Sequence, residues 1–266
     1  MKTEILNCAK MAKRGGVLDK EVQDGQFLHA IENKNIDSIQ AYLDLPISEI
    51  HALDRRDFLK LGVTWRESVN GLHCDGWNNV RDSVAEYFTS DLYDTLFPTP
   101  GSERELKIGF AGGAPYCIFG NHRLSAGKAW LAYNIGEKAI FKKVNCIYRP
   151  IKPGIKAILQ SCLNQDSVLK YYHVPWQECL GIYKFFDTEG FRNFIRIDSA
   201  NEKTKLYVFG EGWDVKEIPY TIPFVPRFFR SDMYSLSIRL NYKTIPRFLI
   251  KQILDESMVQ PSFKLI

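Results

Sequence analysis

The sequence predicts an α+β protein, on three observations. Runs rich in β-branched and aromatic residues are interspersed with runs of helical periodicity. Between residues 45 and 150 their order is strand, helix, hairpin, helix, strand. Pro150, Pro153 and Gly154 close that stretch before a second half with strands and a final helix of its own. The expected division is an N-terminal helical segment over 1–44, a small mixed sheet with helices over 45–150, and a C-terminal α+β extension over 151–266. With 266 residues, 45% hydrophobic and 13% aromatic, the chain has enough apolar material for a substantial core.

The elements follow in order. In DGQFLHAIENKNIDSIQAYL, Phe27, Leu28, Ile31, Ile36, Ile39 and Leu43 recur at near-helical intervals, which predicts one or two amphipathic helices broken near Asn35. DLPISEIHAL alternates Leu45, Ile47 and Ile50 with polar residues and predicts a short strand, or a strand entering a helix. After a polar segment punctuated by Gly62, Gly71 and Gly76, NNVRDSVAEYF spaces Val80, Val84 and Phe88 four apart, a helix with asparagine at its cap position. Pro98, Pro100 and Gly101 mark a loop, and LKIGFAGG and PYCIFG then read as two strands joined by a turn at Gly112 and Gly113. A helix is expected from Arg123 to Tyr133, followed by the β-prone KAIFKKVNCIYRPI. In the second half, residues 155–172 read as helical and FRNFIRID with TKLYVFGEGW as a hairpin around Asn201. YSLSIRL reads as a further strand, and a helix closes the chain near 244–257. Neither repeats nor low-complexity tracts interrupt this pattern.

A net charge of +4 is too small to demand a nucleic-acid or membrane partner, yet it accommodates an anionic ligand bound locally. Cys8, Cys74, Cys117, Cys146, Cys162 and Cys179 form no CxxC pair, which argues against a zinc module or a disulfide framework and for reduced thiols in a cytoplasmic protein. His73-Cys74-Asp75 finds no further ligands at metal spacing, so no dedicated protein cage for a metal is expected. MKTEILNCAKMAKRGG lacks the long apolar core of a secretory signal, and no run approaches the roughly 18 apolar residues of a membrane helix.

The chemistry concentrates in CIFGNHRLSAGKAWLA, residues 117–132. A helix start leaves backbone N–H groups unpaired and carries partial positive charge, so it attracts anions. Gly120 lets a ligand approach the backbone, Arg123 offers a planar fork for phosphate, and Asn121, His122, Ser125 and Lys128 add donors if they face the same side. The same spacing also serves as a plain helix entrance with an asparagine cap and an exposed arginine.

The run YCIFGNHRLSAGKAWLA, with LPISEIHAL and a helix before it and AIFKKVNCIY after it, resembles the ParB/sulfiredoxin-like superfamily over roughly residues 45–150. The resemblance implies a nucleotide phosphate site at the corner, with Gly120, His122 and Arg123 as phosphate ligands. Members use such a site for CTP binding in chromosome partitioning, for ATP-dependent phosphorylation of a sulfinic acid, or for phosphorylation of free serine. Sulfiredoxins place their catalytic cysteine immediately before His-Arg; this chain has Asn121 there, so no thiolate is supplied, and Cys117 reads as core. The Gly-x-His-Arg form looks closer to the small-molecule kinase branch, where an acid after the first strand acts as base. EIHALDRRDF offers Glu49, Asp54 and Asp57 for that role or for holding Mg²⁺, with Asp57 preferred. His51 is a further polar group there, or a cap. Arg81 and Ser83 stand where sulfiredoxins contact the nucleotide.

The expected function is therefore nucleotide binding, with hydrolysis or transfer of a phosphate of ATP or a related nucleotide in the presence of Mg²⁺. A second expectation is a ParB-like DNA-binding protein or nuclease. It rests on Arg227, Arg230, Arg239, Lys243, Arg247 and Lys251 interleaved with aromatics, an arrangement that suits nucleic acid and equally a core with a solvated face. A third is a protein-interaction module with a decayed nucleotide site.

Overall fold

The computed structural model describes residues 1–54, 62–173, 191–200, 202–210, 213–218, 240–259 and 263. Helices and two sheets, one mixed and one antiparallel, make it an α+β protein. The chain divides into two units, one made of Met1–His29, Asp37–Arg149 and Asp255–Ile266, the other of Ala30–Ile36 and Pro150–Leu254.

In the first unit, α1 (Lys2–Met11) buries Ile5, Cys8 and Ala9, which its periodicity puts on one face. The carbonyls of Ala9, Ala12 and Lys13 at its end accept from the Arg66 guanidinium, whose Nε–H bonds Asp19 at 2.5 Å. The remaining elements are β1 (Gln23–Asp24), α2 (Gly25–Ile31), β2 (Ile39–Pro46), β3 (Ala52–Leu53), α3 (Trp65–Ser68), α4 (Arg81–Thr89), β4 (Lys107–Ala111), β5 (Ala114–Phe119), α5 (Asn121–Asn134) and β6 (Ile140–Arg149). The six strands form one sheet in the order β1-β3-β5-β4-β6-β2. β4 and β5 are the expected hairpin, with Gly112 at φ +58° in its turn. β3 runs parallel to β5, and β4 parallel to β6. That arrangement brings the end of β3 beside the end of β5, where α5 begins.

Residues 39–43, expected to be helical, form β2, antiparallel to β6 with Ala41 opposite Cys146. Ile39, Ala41, Leu43 and Leu45 also alternate, and pairing with a strand a hundred residues away realises that period of two instead of the helical one. α5 is buried along most of its length, from Arg123 to Ala129 and again at Leu131 and Ala132. Its small residues permit this: a Cβ on Gly127 would come within 2.8 Å of the Phe88 and Phe141 rings.

In the second unit, α6 (Pro153–Asn164) starts with proline in its first turn and buries Ile155, Ile158, Leu159 and Cys162. The helix expected over 155–172 ends at Asn164; Asp166 at φ +51° turns the chain, and the alternating VLKYYH becomes β7 (Val168–His173). β8 (Phe191–Asp198), β9 (Lys205–Gly210), β10 (Trp213–Ile218) and β11 (Lys243–Thr244) complete an antiparallel sheet in the order β10-β9-β8-β7-β11. α7 (Arg247–Leu254) packs on α6 and buries Leu249, Ile250 and Ile253. Most of YSLSIRL lies outside the described residues. Among the described residues, no helix is long and apolar enough to cross a membrane. The described cysteines are free thiols, and Cys179 lies outside that set.

Candidate functional site

The chain leaves β5 at Phe119, turns at Gly120 and enters α5 at once. Gly120 stands at φ +97°, and a Cβ there would meet Leu106 Cδ1 at 2.9 Å and Arg123 Nε at 3.1 Å. Backbone conformation and space both call for glycine. Gly120→Ala is expected to cost about 1–3 kcal/mol, read as a lower urea midpoint; an unchanged midpoint would mean that the corner tolerates a side chain.

The first helical hydrogen bond runs from Leu124 N–H to Gly120 O at 2.8 Å, so the amides of residues 121–123 lie ahead of the ladder. Among the described residues, no side chain caps this terminus. Asn121 turns its Oδ1 to the Asp54 N–H at 3.2 Å; that N–H also points at the Cys117 carbonyl, 3.3 Å away. This tie fixes Asp54, just beyond β3, beside the start of α5.

A cleft of about 430 Å³ opens at this corner. Its polar lining includes Asp54, His73, Arg104, Asn121, His122 and Arg123, and its apolar wall includes Trp77, Phe97 and Phe119. His122 Nδ1 accepts from the His73 backbone N–H at 3.2 Å, and the two rings meet edge to face at 5.2 Å. An accepting Nδ1 puts the proton of the neutral ring on Nε2, so His122 presents an N–H donor. The same bond disfavours metal at Nε2, which would require Nδ1 to carry the proton against the His73 N–H. Among the described residues, no group of three or more His, Cys, Asp or Glu side chains is placed to hold a metal ion.

Arg123 is 6% exposed. Its guanidinium donates through Nη1 to the Arg104 carbonyl and lies over the Phe97 and Phe119 rings at 5.2 and 5.5 Å. Burial pulls its pKa below the usual guanidinium value, with the Tyr87 phenol beside it acting the other way; arginine stays charged under both influences. Arg104 is exposed, with its Cζ 5.1 Å from the centre of the Phe119 ring. Among the described residues, two guanidinium groups and an uncapped helix start thus face one lining carboxylate, Asp54, a balance that favours an anion.

Other residues singled out in the sequence lie elsewhere. Ser125 is fully buried and outside the cleft lining. Lys128 is also buried; its Nζ donates to the Ile50 carbonyl at 2.5 Å and sits 3.8 Å above the Trp65 ring, a ring set in place by the Thr64–Glu67 capping box. Burial holds its ammonium pKa well below the usual value, with the Lys20 charge acting in the same direction. His51, 5% exposed, is driven from its ordinary 6.5 to about 3 by burial and then by Lys128 and Lys20. Glu49 is half-buried, accepts from Ser48 Oγ at 3.2 Å and favours the Lys128 charge. Arg81 pairs with Glu4 and Asp82, both at 2.6 Å, and Ser83 is exposed on α4; neither lines the cleft. Cys117 is fully buried, and burial pushes its thiol pKa up. Asp57 lies outside the described residues, as do Arg227, Arg230 and Arg239; Arg247 pairs with Asp166.

Sequence reasoning missed Arg104, Trp77 and Phe97, and weighed His73 only as a metal ligand. The available signal was a basic residue closing the Pro98–Gly101 loop just before a strand that pairs with β5. Compared with protein-family models, with curated proteins and with solved structures, the chain gives no match in any of the three.

Proposed function

We propose that this cleft binds a nucleotide through its phosphates and that the protein hydrolyses or transfers a phosphate of ATP or a related nucleotide. The observation that carries the reading is an uncapped helix start opening into a cleft that, among the described residues, is lined by two guanidinium groups and one carboxylate. Backbone amides of the first turn of α5 would receive phosphate oxygens, and His122 Nε2–H would donate another hydrogen bond. Gly120 keeps the approach to the backbone open.

Asp54 is the acid suited to the chemistry. Its backbone is pinned beside the phosphate donors, and its carboxylate would take a proton from an acceptor hydroxyl or water. One carboxylate also fits Mg²⁺, which is commonly held by one or two carboxylates together with substrate phosphates. When bound, Mg²⁺ would neutralise charge on the phosphates. Trp77, Phe97 and Phe119 would offer apolar surface for the rest of the ligand.

Thermal unfolding of the full chain with ATP, ADP, CTP or GTP, each with and without Mg²⁺, tests the reading. A ligand of the native state raises stability with the logarithm of saturation, so even a weak site responds to nucleotide well above its Kd. A rise in Tm that His122→Ala diminishes is the expected result; no rise with any of the four overturns the proposal.

A further inference from the structure

The two arginines of the cleft are built differently. Arg123 is buried, and its guanidinium is committed to a backbone carbonyl and two aromatic rings. The carbonyl it holds belongs to Arg104, and the Phe97 N–H points at that same oxygen from 3.4 Å. Residues 97–104 therefore form a loop closed at its neck, and Arg123 fastens that neck to the start of α5. Inside the loop, Ser102 N–H bonds Thr99 O at 3.0 Å and Gly101 N–H bonds a Glu103 carboxylate oxygen at 2.9 Å.

The Arg104 side chain has the opposite character. It is exposed, it lines the cleft and it rests on the Phe119 ring. Among the described residues it makes no ion pair. The neighbouring Glu105 carboxylate is engaged instead by the Tyr42 hydroxyl at 2.7 Å and by the Asn145 amide. An exposed guanidinium has all its donors available and is steadied by the ring beneath it, whereas a buried and bonded one cannot leave its carbonyl without exposing a polar atom in the core.

Resting on the nucleotide reading of the cleft, we infer that Arg104 is the cation that meets the ligand's phosphates, and that Arg123 is a positioning residue that holds Arg104 in place. Recognition of phosphate charge then resides on the 97–104 loop, and the arginine of the Gly-Asn-His-Arg corner acts through it.

Calorimetric titration of the full chain with ATP, AMP and adenosine, at low and physiological salt, separates these roles. Arg104→Ala removes the side chain and leaves the carbonyl that Phe97 and Arg123 hold, so its Tm without ligand should equal that of the wild type. Its affinity for ATP should fall ~10-fold or more, its preference for ATP over AMP should shrink, and its ATP binding should depend less on salt. Adenosine, which carries no phosphate, should bind as before, and Arg104→Lys should recover part of the loss. Unchanged ATP affinity in Arg104→Ala, or an equal loss for adenosine, would overturn the assignment. Failure of the wild-type protein to bind any of the three would overturn the nucleotide reading itself, and the assignment with it.

Discussion

Acidification from above pH 6.5 to below pH 3 is expected to remove about 5 kcal/mol of stability through one side chain, His51. The imidazole is buried, so its charged form is disfavoured first by the loss of water and then by the Lys128 and Lys20 charges. In the unfolded chain His51 regains its ordinary 6.5, while in the fold it titrates only near 3. Between those values the unfolded state takes up a proton that the native state refuses, so the stabilisation is complete above pH 6.5 and is lost as pH falls toward 3. Urea unfolding across that range, on the wild type and on His51→Gln, isolates the effect, because carboxylate titration is common to both. The wild type should lose about 1.4 kcal/mol more per pH unit than the variant. Parallel curves would mean that His51 charges as readily in the fold as outside it.

Arg123→Ala is expected to lower stability by about 2–4 kcal/mol and to abolish nucleotide-dependent stabilisation. The loss has identifiable parts: a hydrogen bond to the Arg104 carbonyl, the contacts with the Phe97 and Phe119 rings, and a void beside Tyr87. Tyr87 is 3% exposed and its phenol lies beside the Arg123 guanidinium, so removing that group takes a polar neighbour from a buried hydroxyl. Arg123→Lys keeps the charge but not the planar fork, and should fall between the two. Urea midpoints measured with and without ATP provide the check. A variant as stable as the wild type would show that the 97–104 loop keeps its place without this clamp.

The parts of the fold legible in the sequence are those decided locally. Gly112 and Gly113 marked the hairpin, and Gly120 marked the end of β5, because a turn leaves its chemistry in the residues that make it. β2 was not legible in the same way. Its apolar residues fit both a helical and an alternating period, and its partner β6 lies far along the chain. Similar reasons divide the site. Asp54 and the corner residues come from strand ends that parallel pairing of β3 with β5 brings together. Ser125 and Lys128 read as donors because they follow the corner closely, but α5 is buried on almost every side, so the polar residues of its second turn meet the core. Arg104 and His73 reach the cleft on connecting segments, whose path depends on packing rather than on periodicity.

The most direct test of the cleft is the backbone amide spectrum of the ¹⁵N-labelled full chain, recorded during titration with ATP and Mg²⁺. If phosphate sits at the start of α5, the largest shifts will fall on the amides of Gly120, Asn121, His122 and Arg123, with smaller ones at Asp54 and Arg104. Shifts confined to other parts of the chain, or none at saturating nucleotide, would contradict it and leave the Gly-Asn-His-Arg corner as a structural helix entrance.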